Sequence, residues 1–421
     1  MIKSHKNKSI ILFLSLVDNF NPYWFVTVMG TGSSSCILHD FPFPGLWLRI
    51  CSYVMFGICA FLFITLQTAL VINILRKVYF KRLRIPQIFY GFFIKSPTNL
   101  YWGTYSMGIC SIINYIFLIL KSSTNTTNYE RSNTFIIGIY VLWWAGLILS
   151  LIVAWGLTIL HWKFNNKNDT SFLKTPIYLL PVVSIVVICS CGAQITMSDL
   201  FIYQFNRNVQ LLTLVIIAMC WLQAITMVFL VTAVYFWNLY VNGMPDMVSN
   251  TSTCFLCVGP MGQGSYGIQL LCSDVVRYIE LHYLDTTTTL IAISFFKILG
   301  GILGLWLISC GLFFVIYSVS SIFLFINKTK IHNYQKSWWA MPFPLGTMAL
   351  STKELWVQYG AFIDIRAFRI ISVFFAILCI GSTMLCLIGT CNHYIFKQPI
   401  RKKDYDINIT IEHIICKHDE G

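Results

Sequence analysis

The stretch Trp338-Trp-Ala-Met-Pro-Phe-Pro-Leu-Gly-Thr-Met348 decides how the chain is read. It is apolar enough for a membrane interior, yet Pro342, Pro344 and Gly346 crowd little more than one helical turn. Proline removes a backbone donor and clashes with the preceding turn, so the expectation is a helix that breaks inside this stretch. At membrane depth, broken backbone is tolerated only where it is buried in protein or lines a cavity. Phe343, between the two prolines, is then either a side chain projecting from a pore wall or a core aromatic on a kinked packing helix. The stretch alone leaves both open.

The rest of the chain sets the context. Its 421 residues are 57% hydrophobic and 11% charged, with mean hydropathy +0.71. Soluble domains carry roughly 25% charged residues, so this is a polytopic membrane protein. The net charge of +13 fits loops beside anionic lipid better than a nucleic-acid surface. The 8 histidines and 16 acidic residues fall at or beyond the ends of apolar segments. A proton relay keeps such groups within the spans, so their placement points to an anion path. The 15 cysteines include Cys189-Ser-Cys191 and Cys254-Phe-Leu-Cys257, but neither pair has a second ligand pair at zinc spacing. Buried thiols, no metal and no cofactor are expected. Lys3, Lys6 and Lys8 precede the apolar run Ile10–Val17 without a small-residue cleavage site. This indicates a cytoplasmic N-terminal tail, 1–19, before a transmembrane transport domain, 20–391, and a cytoplasmic C-terminal tail, 392–421.

Ten apolar segments run at 20–38, 47–75, 98–120, 134–161, 175–196, 208–240, 253–271, 289–326, 337–352 and 367–391. About 20 residues cross the hydrocarbon. The even segments are long and nearly uninterrupted; the odd ones carry Gly, Pro, Ser and Thr. Those breaks are Gly30, Gly32 and Ser33, then Gly103, Thr104 and Gly108, then Pro181 and Gly192. They continue at Gly259, Pro260, Gly262 and Gly264, and at Pro342, Pro344, Gly346 and Thr347. The alternation is a repeat, and it predicts an all-α protein of ten transmembrane helices. Five helical hairpins would surround a central pore, with kinked odd helices inside and straight even helices outside. Hydroxyls and backbone N–H groups freed at the breaks would take the place of an anion's water.

A basic residue stands near the start of each even segment: Arg49, Arg131, Arg207, Lys297 and Arg369. A cation there opposes the helix dipole, leaving two roles, interface anchoring or attraction of anions. Lys297, in Ser-Phe-Phe-Lys-Ile-Leu-Gly, has the most apolar surroundings and is the candidate intramembrane charge. Of the 29 Lys and Arg, 20 fall in tails and loops on one side and 8 on the other, which puts both termini in the cytoplasm. The sequon Asn125-Thr-Thr127 lies on the outer side, where glycosylation can occur.

Other motifs carry less. Gly262-Gln-Gly264-Ser-Tyr-Gly267 matches a dinucleotide fingerprint, but it lies in an apolar span with no preceding soluble strand. Gly300-x-x-x-Gly304 is a helix-packing pattern. With no Walker A run and no Ser-His-Asp or Cys-His set, neither a nucleotide partner nor an enzyme is expected.

Taken together, several stretches resemble the tellurite-resistance/dicarboxylate transporter family, and within it the fungal sulfite efflux pumps. They are Phe20-Asn-Pro-Tyr-Trp-Phe-Val-Thr-Val-Met-Gly-Thr-Gly32, Phe41–Tyr53, Trp102–Gly108, Phe205-Asn-Arg-Asn-Val-Gln-Leu211, Gly259–Gly267 and Phe343–Met348. The resemblance implies a pore in each protomer of a homotrimer in the plasma membrane, and export of sulfite or hydrogen sulfite. It also implies that Phe343 matches the phenylalanine that plugs related anion channels. Pro342 stands where that pattern has Thr. The alternatives are a malate or C4-dicarboxylate carrier, a chloride/nitrate-type channel of the same fold, or a receptor or structural membrane protein without transport.

Overall fold

The computed structural model of the chain describes residues 17, 20–79, 82–123, 129–164, 175–244, 248–283, 286–329, 334–360 and 366–393. The long helices are α1 (Phe25–His39), α2 (Leu46–Tyr79), α3 (Trp102–Ser123), α4 (Tyr129–Leu151), α5 (Leu179–Ile195) and α6 (Arg207–Asn242). They continue as α7 (Val258–His282), α8 (Thr287–Thr329), α9 (Pro342–Tyr359) and α10 (Arg366–Thr390). A π-turn, Ile152–Gly156, and a short helix, Leu157–Phe164, prolong α4. Among the described residues, seven helical stretches are long and apolar enough to cross a membrane.

Burial separates two classes. The apolar window of Pro176–Ile195, which holds α5, is 94% buried, whereas that of α2 is 28% buried. Helix α1 buries 14 of its 15 residues. Along their middles the even helices expose large apolar side chains such as Phe61, Leu222, Ile302 and Phe374; that composition suits contact with lipid tails and not with water.

The odd helices touch one another in a closed cycle: α1 with α3, α3 with α5, α5 with α7, α7 with α9, and α9 with α1. Each also packs against the even helix that follows it. Polar groups tie these layers together. Ser34 pairs with Thr383 at 2.7 Å, Ser106 with Ser150 at 2.6 Å and Tyr140 with Thr213 at 2.8 Å. Trp143 Nε1 donates to the Ile188 carbonyl at 2.9 Å. Each interhelical bond of this kind contributes about 0.6 kcal/mol in a bilayer.

The expected breaks are not in mid-helix. Each odd helix is entered through a 3₁₀ turn: Pro22–Trp24, Thr98–Tyr101, Pro176–Tyr178, Cys254–Cys257 and Lys336–Ala340. The helix then runs unbroken past its glycines. In the stretch 338–348 the break precedes Met341, and α9 continues regularly through Phe343, Pro344 and Gly346. Pro181, Pro260 and Pro344 are each the third residue of their helices. The N–H groups just before them are already bonded to turn carbonyls (Leu179 to Pro176 and Ile177, Val258 to Phe255, Met341 to Trp338), so each proline follows directly on the change from 3₁₀ to α pitch and not in mid-span.

Two carboxylates also depart from expectation. Asp274 lies within α7 and Glu354 within α9, two helices of the cycle. Asp274 is 9% exposed, and its Oδ2 has no partner among the described residues.

Candidate functional site

The five 3₁₀ turns converge. Tyr23 and Tyr101 meet edge to face with ring centroids 4.9 Å apart, and the Tyr23 hydroxyl donates to the Lys336 carbonyl. Asn21 Oδ1 accepts from Tyr23 N–H at 2.9 Å, and Thr175 Oγ1 from Ile177 N–H at 3.2 Å, which fixes two of the turns. Between the turns lies a cavity of about 500 Å³. All five contribute wall: Tyr23; Pro97 and Tyr101; Thr175 and Tyr178; Leu256; and Lys336 with Ala340. Val26, Thr104 and Leu180 lie further along the helices that the turns open.

The electrostatics follow from the topology. The first N–H groups of a helix lack intrahelical partners, and its N-terminus carries roughly half a positive charge. Here four such helix entries, at Pro22, Thr98, Pro176 and Lys336, share one cavity with the 3₁₀ turn Cys254–Cys257, which follows the short helix Val248–Thr253. Lys336 is its cationic wall residue, with Nζ 5.4 Å from the Tyr23 ring centroid, and no Asp or Glu is among the described residues lining it. The cavity therefore favours an anion.

Phe343 lies one turn beyond Ala340, at the start of α9, and is 6% exposed. Its ring lies against Gly259 of α7: a Cβ at that glycine would stand 3.9 Å from Phe343 Cδ1 and 3.6 Å from Pro344 Cγ. A methyl group at Gly259 would thus meet both rings in ordinary van der Waals contact.

The glycines and hydroxyls expected to face an anion do other work. Every contact of the helix cycle has a glycine in it. Gly30 and Gly346 lie between α1 and α9, Gly32 and Gly108 between α1 and α3, and Gly103 abuts the Leu180 carbonyl of α5. Gly267 abuts Ser190 of α5, and Gly262 abuts Thr347 and Met348 of α9. Gly192 receives Trp143 of α4, and Gly264 receives Ile225 of α6. A Cβ at Gly262 would come within 2.8 Å of Met348 N, so these residues set helix spacing. Ser33, Thr104 and Thr347 donate to the carbonyls of Gly30, Tyr101 and Pro344 at 3.0, 2.7 and 2.7 Å. A hydroxyl whose proton is held by its own helix offers an anion only lone pairs. At the helix starts, Phe25, Trp102, Leu179, Val258 and Met341 each donate their N–H to a carbonyl of the 3₁₀ turn before them, so what the starts offer an anion is the positive end of the helix dipole.

None of the basic residues singled out in the sequence lines this cavity. Arg49 is exposed in the first turn of α2. Lys297 is exposed and pairs with Glu280 at 3.8 Å; its apolar sequence neighbours hide the fact that it lies on an outward face. Arg207 donates to Tyr278 Oη at 3.2 Å and stacks on Tyr283. Arg369 is held between Phe43 and Trp356, 3.7 and 4.5 Å from their centroids, and donates to the Pro42 carbonyl at 2.8 Å. Asn125 lies outside the described residues. In sequence, Lys336 reads only as a loop charge. The available signal was its register: it enters the fifth odd segment where prolines enter the first, second and third.

Comparison with known proteins adds independent information. A family model described as voltage-dependent anion channel, SLAC1, matches residues 19–391. The chain is 38% identical over 411 residues to the sulfite efflux pump SSU1 of Saccharomyces cerevisiae, covering 90% of this chain and 89% of that protein. It is 30% identical over 396 residues to the sulfite efflux pump SSU1 of Candida albicans, covering 91% and 76%. Against the sulfite efflux pump SSU1 of Arthroderma benhamiae it is 26% identical over 366 residues, covering 86% and 87%.

Proposed function

Since the chain belongs to the SLAC1 family of voltage-dependent anion channels, we propose that it exports sulfite or hydrogen sulfite from the cytosol across the plasma membrane. The observation that carries this is the cavity of about 500 Å³ walled by four helix entries, the Cys254–Cys257 turn and Lys336, with no carboxylate among the described residues of its lining. Three relatives named as sulfite efflux pumps, each covered over at least three quarters of its length, support the choice of anion.

In this reading, residues 20–391 form a domain of ten transmembrane helices, five hairpins around a pore, and 1–19 and 392–421 are cytoplasmic tails. The cavity is the cytoplasmic mouth. An anion is drawn in by Lys336 and the positive ends of the helix dipoles and gives up part of its water there. Its onward path is closed by Phe343, a hydrophobic plug. The field is moderate, as a conducted ion must also leave. An inside-negative potential of 100 mV contributes about 2.3 kcal/mol per exported negative charge, enough to drive export without a nucleotide. Protomers associate as a homotrimer, each with its own pore, and the Asn125 sequon faces outward.

The test is sulfite efflux and sulfite tolerance in cells with and without the protein, with malate uptake as control. Efflux and tolerance that rise with the protein support export. Equal sulfite efflux in both cells, or malate uptake in its place, rejects it.

A further inference from the structure

A second cavity, of about 560 Å³, lies outside the helix cycle, between α6 and the prolongation of α4 and backed by α5. Along α6 it extends from Gln223 to Tyr235, twelve residues or about 18 Å of helix. That is more than half of a hydrocarbon core about 30 Å thick. Its floor is apolar: Val182 and Ile185 from α5, and Met227, Leu230 and Val231 from α6. Its mouth is polar and aromatic, with Thr158, His161, Trp162, Thr175 and Tyr178. The crevice thus has about the length of one leaflet, a largely apolar floor with the Gln223 amide at its deep end (its Oε1 buried without a partner among the described residues), and a polar mouth at the end of the molecule where the odd helices begin. Charge near the mouth is predominantly positive. No Asp or Glu is among the described residues lining the crevice, and exposed Lys163 follows Trp162 in the chain. The sequence 161–174 carries Lys163, Lys167 and Lys174 against the single acid Asp169, a composition that attracts anionic headgroups.

We propose that this crevice holds one acyl chain of an anionic phospholipid from the cytoplasmic leaflet, with its headgroup at His161 and Lys163. The assignment of leaflet rests on the orientation proposed above. Thr175 and Tyr178 line both this crevice and the central cavity. The 3₁₀ turn Pro176–Tyr178 is therefore a shared wall, and a bound chain supports the pore mouth from behind. Transport then depends on the lipid, not only on the anion.

The test reads binding, independently of which anion is carried. The full chain, purified in mild detergent, is mixed with phosphatidylserine or phosphatidylcholine and bound lipid is counted by native mass spectrometry. Wild type should retain phosphatidylserine in preference to phosphatidylcholine. Val231→Trp, which fills the crevice, should lose the bound lipid. Lys163→Gln, at an exposed position, should weaken phosphatidylserine binding about fivefold and leave phosphatidylcholine unchanged. Gln223→Leu should retain or strengthen binding, because an acyl chain offers its amide nothing. The proposal is overturned if Val231→Trp keeps the wild-type lipid count, if Lys163→Gln leaves the preference intact, or if Gln223→Leu loses the lipid. Should Val231→Trp fail to fold, the other two variants decide. A chain that binds lipid this way but does not move sulfite would reject the transport assignment and leave the lipid site standing.

Discussion

Replacing Gly262 by Ala tests whether the glycines set the spacing of the helix cycle. The added Cβ would stand 2.8 Å from both Met348 N and Thr347 C, backbone atoms of α9, and 2.5 Å from Thr347 Oγ1. Carbon contacts relax at roughly 3.5 Å, so α9 must retreat from α7 by about 0.7 Å. Overpacking of this kind costs about 1–3 kcal/mol, offset by about 1 kcal/mol from alanine's better helix propensity. The net expectation is a loss of up to about 2 kcal/mol. Gly57, in α2, is the control: it is exposed, with nothing within 4 Å of the place a Cβ would take, so Gly57→Ala should gain about 0.5–1 kcal/mol. The measurement is the thermal midpoint of the detergent-solubilised protein, read by the fraction that stays monodisperse after heating. Gly262→Ala should fall below wild type, and Gly57→Ala should equal or exceed it. Because the obstructing atoms include backbone, adding Thr347→Ala should not restore the midpoint. Equal stability of the two single variants, or full rescue by Thr347→Ala, would refute the spacing role.

Other outcomes follow from the same geometry. Phe343→Ala should raise sulfite flux in vesicles about tenfold or more, as loss of a plug costing about 1.4 kcal/mol would; unchanged or lower flux in a correctly inserted protein argues for a packing phenylalanine. Lys336→Gln should raise the half-saturating cytosolic sulfite concentration about fivefold, since a charge about 4 Å from the anion in a water-like medium contributes about 1 kcal/mol, and the effect should shrink with salt. A change confined to the maximal rate would contradict capture at the mouth. Lys297→Gln should leave efflux unchanged and stability within about 1 kcal/mol of wild type, because its partner Glu280 is 3.8 Å away and both side chains are about half exposed. Thr104→Val should leave the selectivity between sulfite and chloride unchanged, because the Thr104 proton is held by the Tyr101 carbonyl; a shifted ratio would restore the hydroxyl to the anion's path.

What could be read from residues alone is clear from particular positions. Hydropathy located the helices, since seven described stretches bury or expose apolar surface over lengths that match a bilayer. The glycine-rich segments do form the buried layer, yet their glycines have a different role from the one expected. A missing side chain serves equally to free a backbone and to admit a neighbour, and Gly103 against the Leu180 carbonyl does the second. Proline was ambiguous for the same reason: Pro344 forbids a helix interior but suits a third residue. Which of the two applies depends on where the turn ends; here it ends at Ala340, next to Trp339, which packs against Gly30 of α1.

Charge was the harder case. Lys297 stood out through its neighbours along the chain, but a helix turns consecutive residues to different faces, and Lys297 faces outward beside Glu280. Lys336 was hidden in a run of polar residues. It gains significance only when five distant turns are brought around one cavity, with Tyr23 bonded to Lys336 across 313 residues of sequence. The anion-favouring field is then a collective property. No single residue carries it, because Lys336 and four helix entries border one cavity together with the Cys254–Cys257 turn. Asp274 and Glu354 fit this polarity: they lie toward the C-terminal ends of α7 and α9, away from the cavity that collects anions. In the proposed pore, this asymmetry between the two ends of the helix cycle would give anion capture a direction, set by how the odd helices begin.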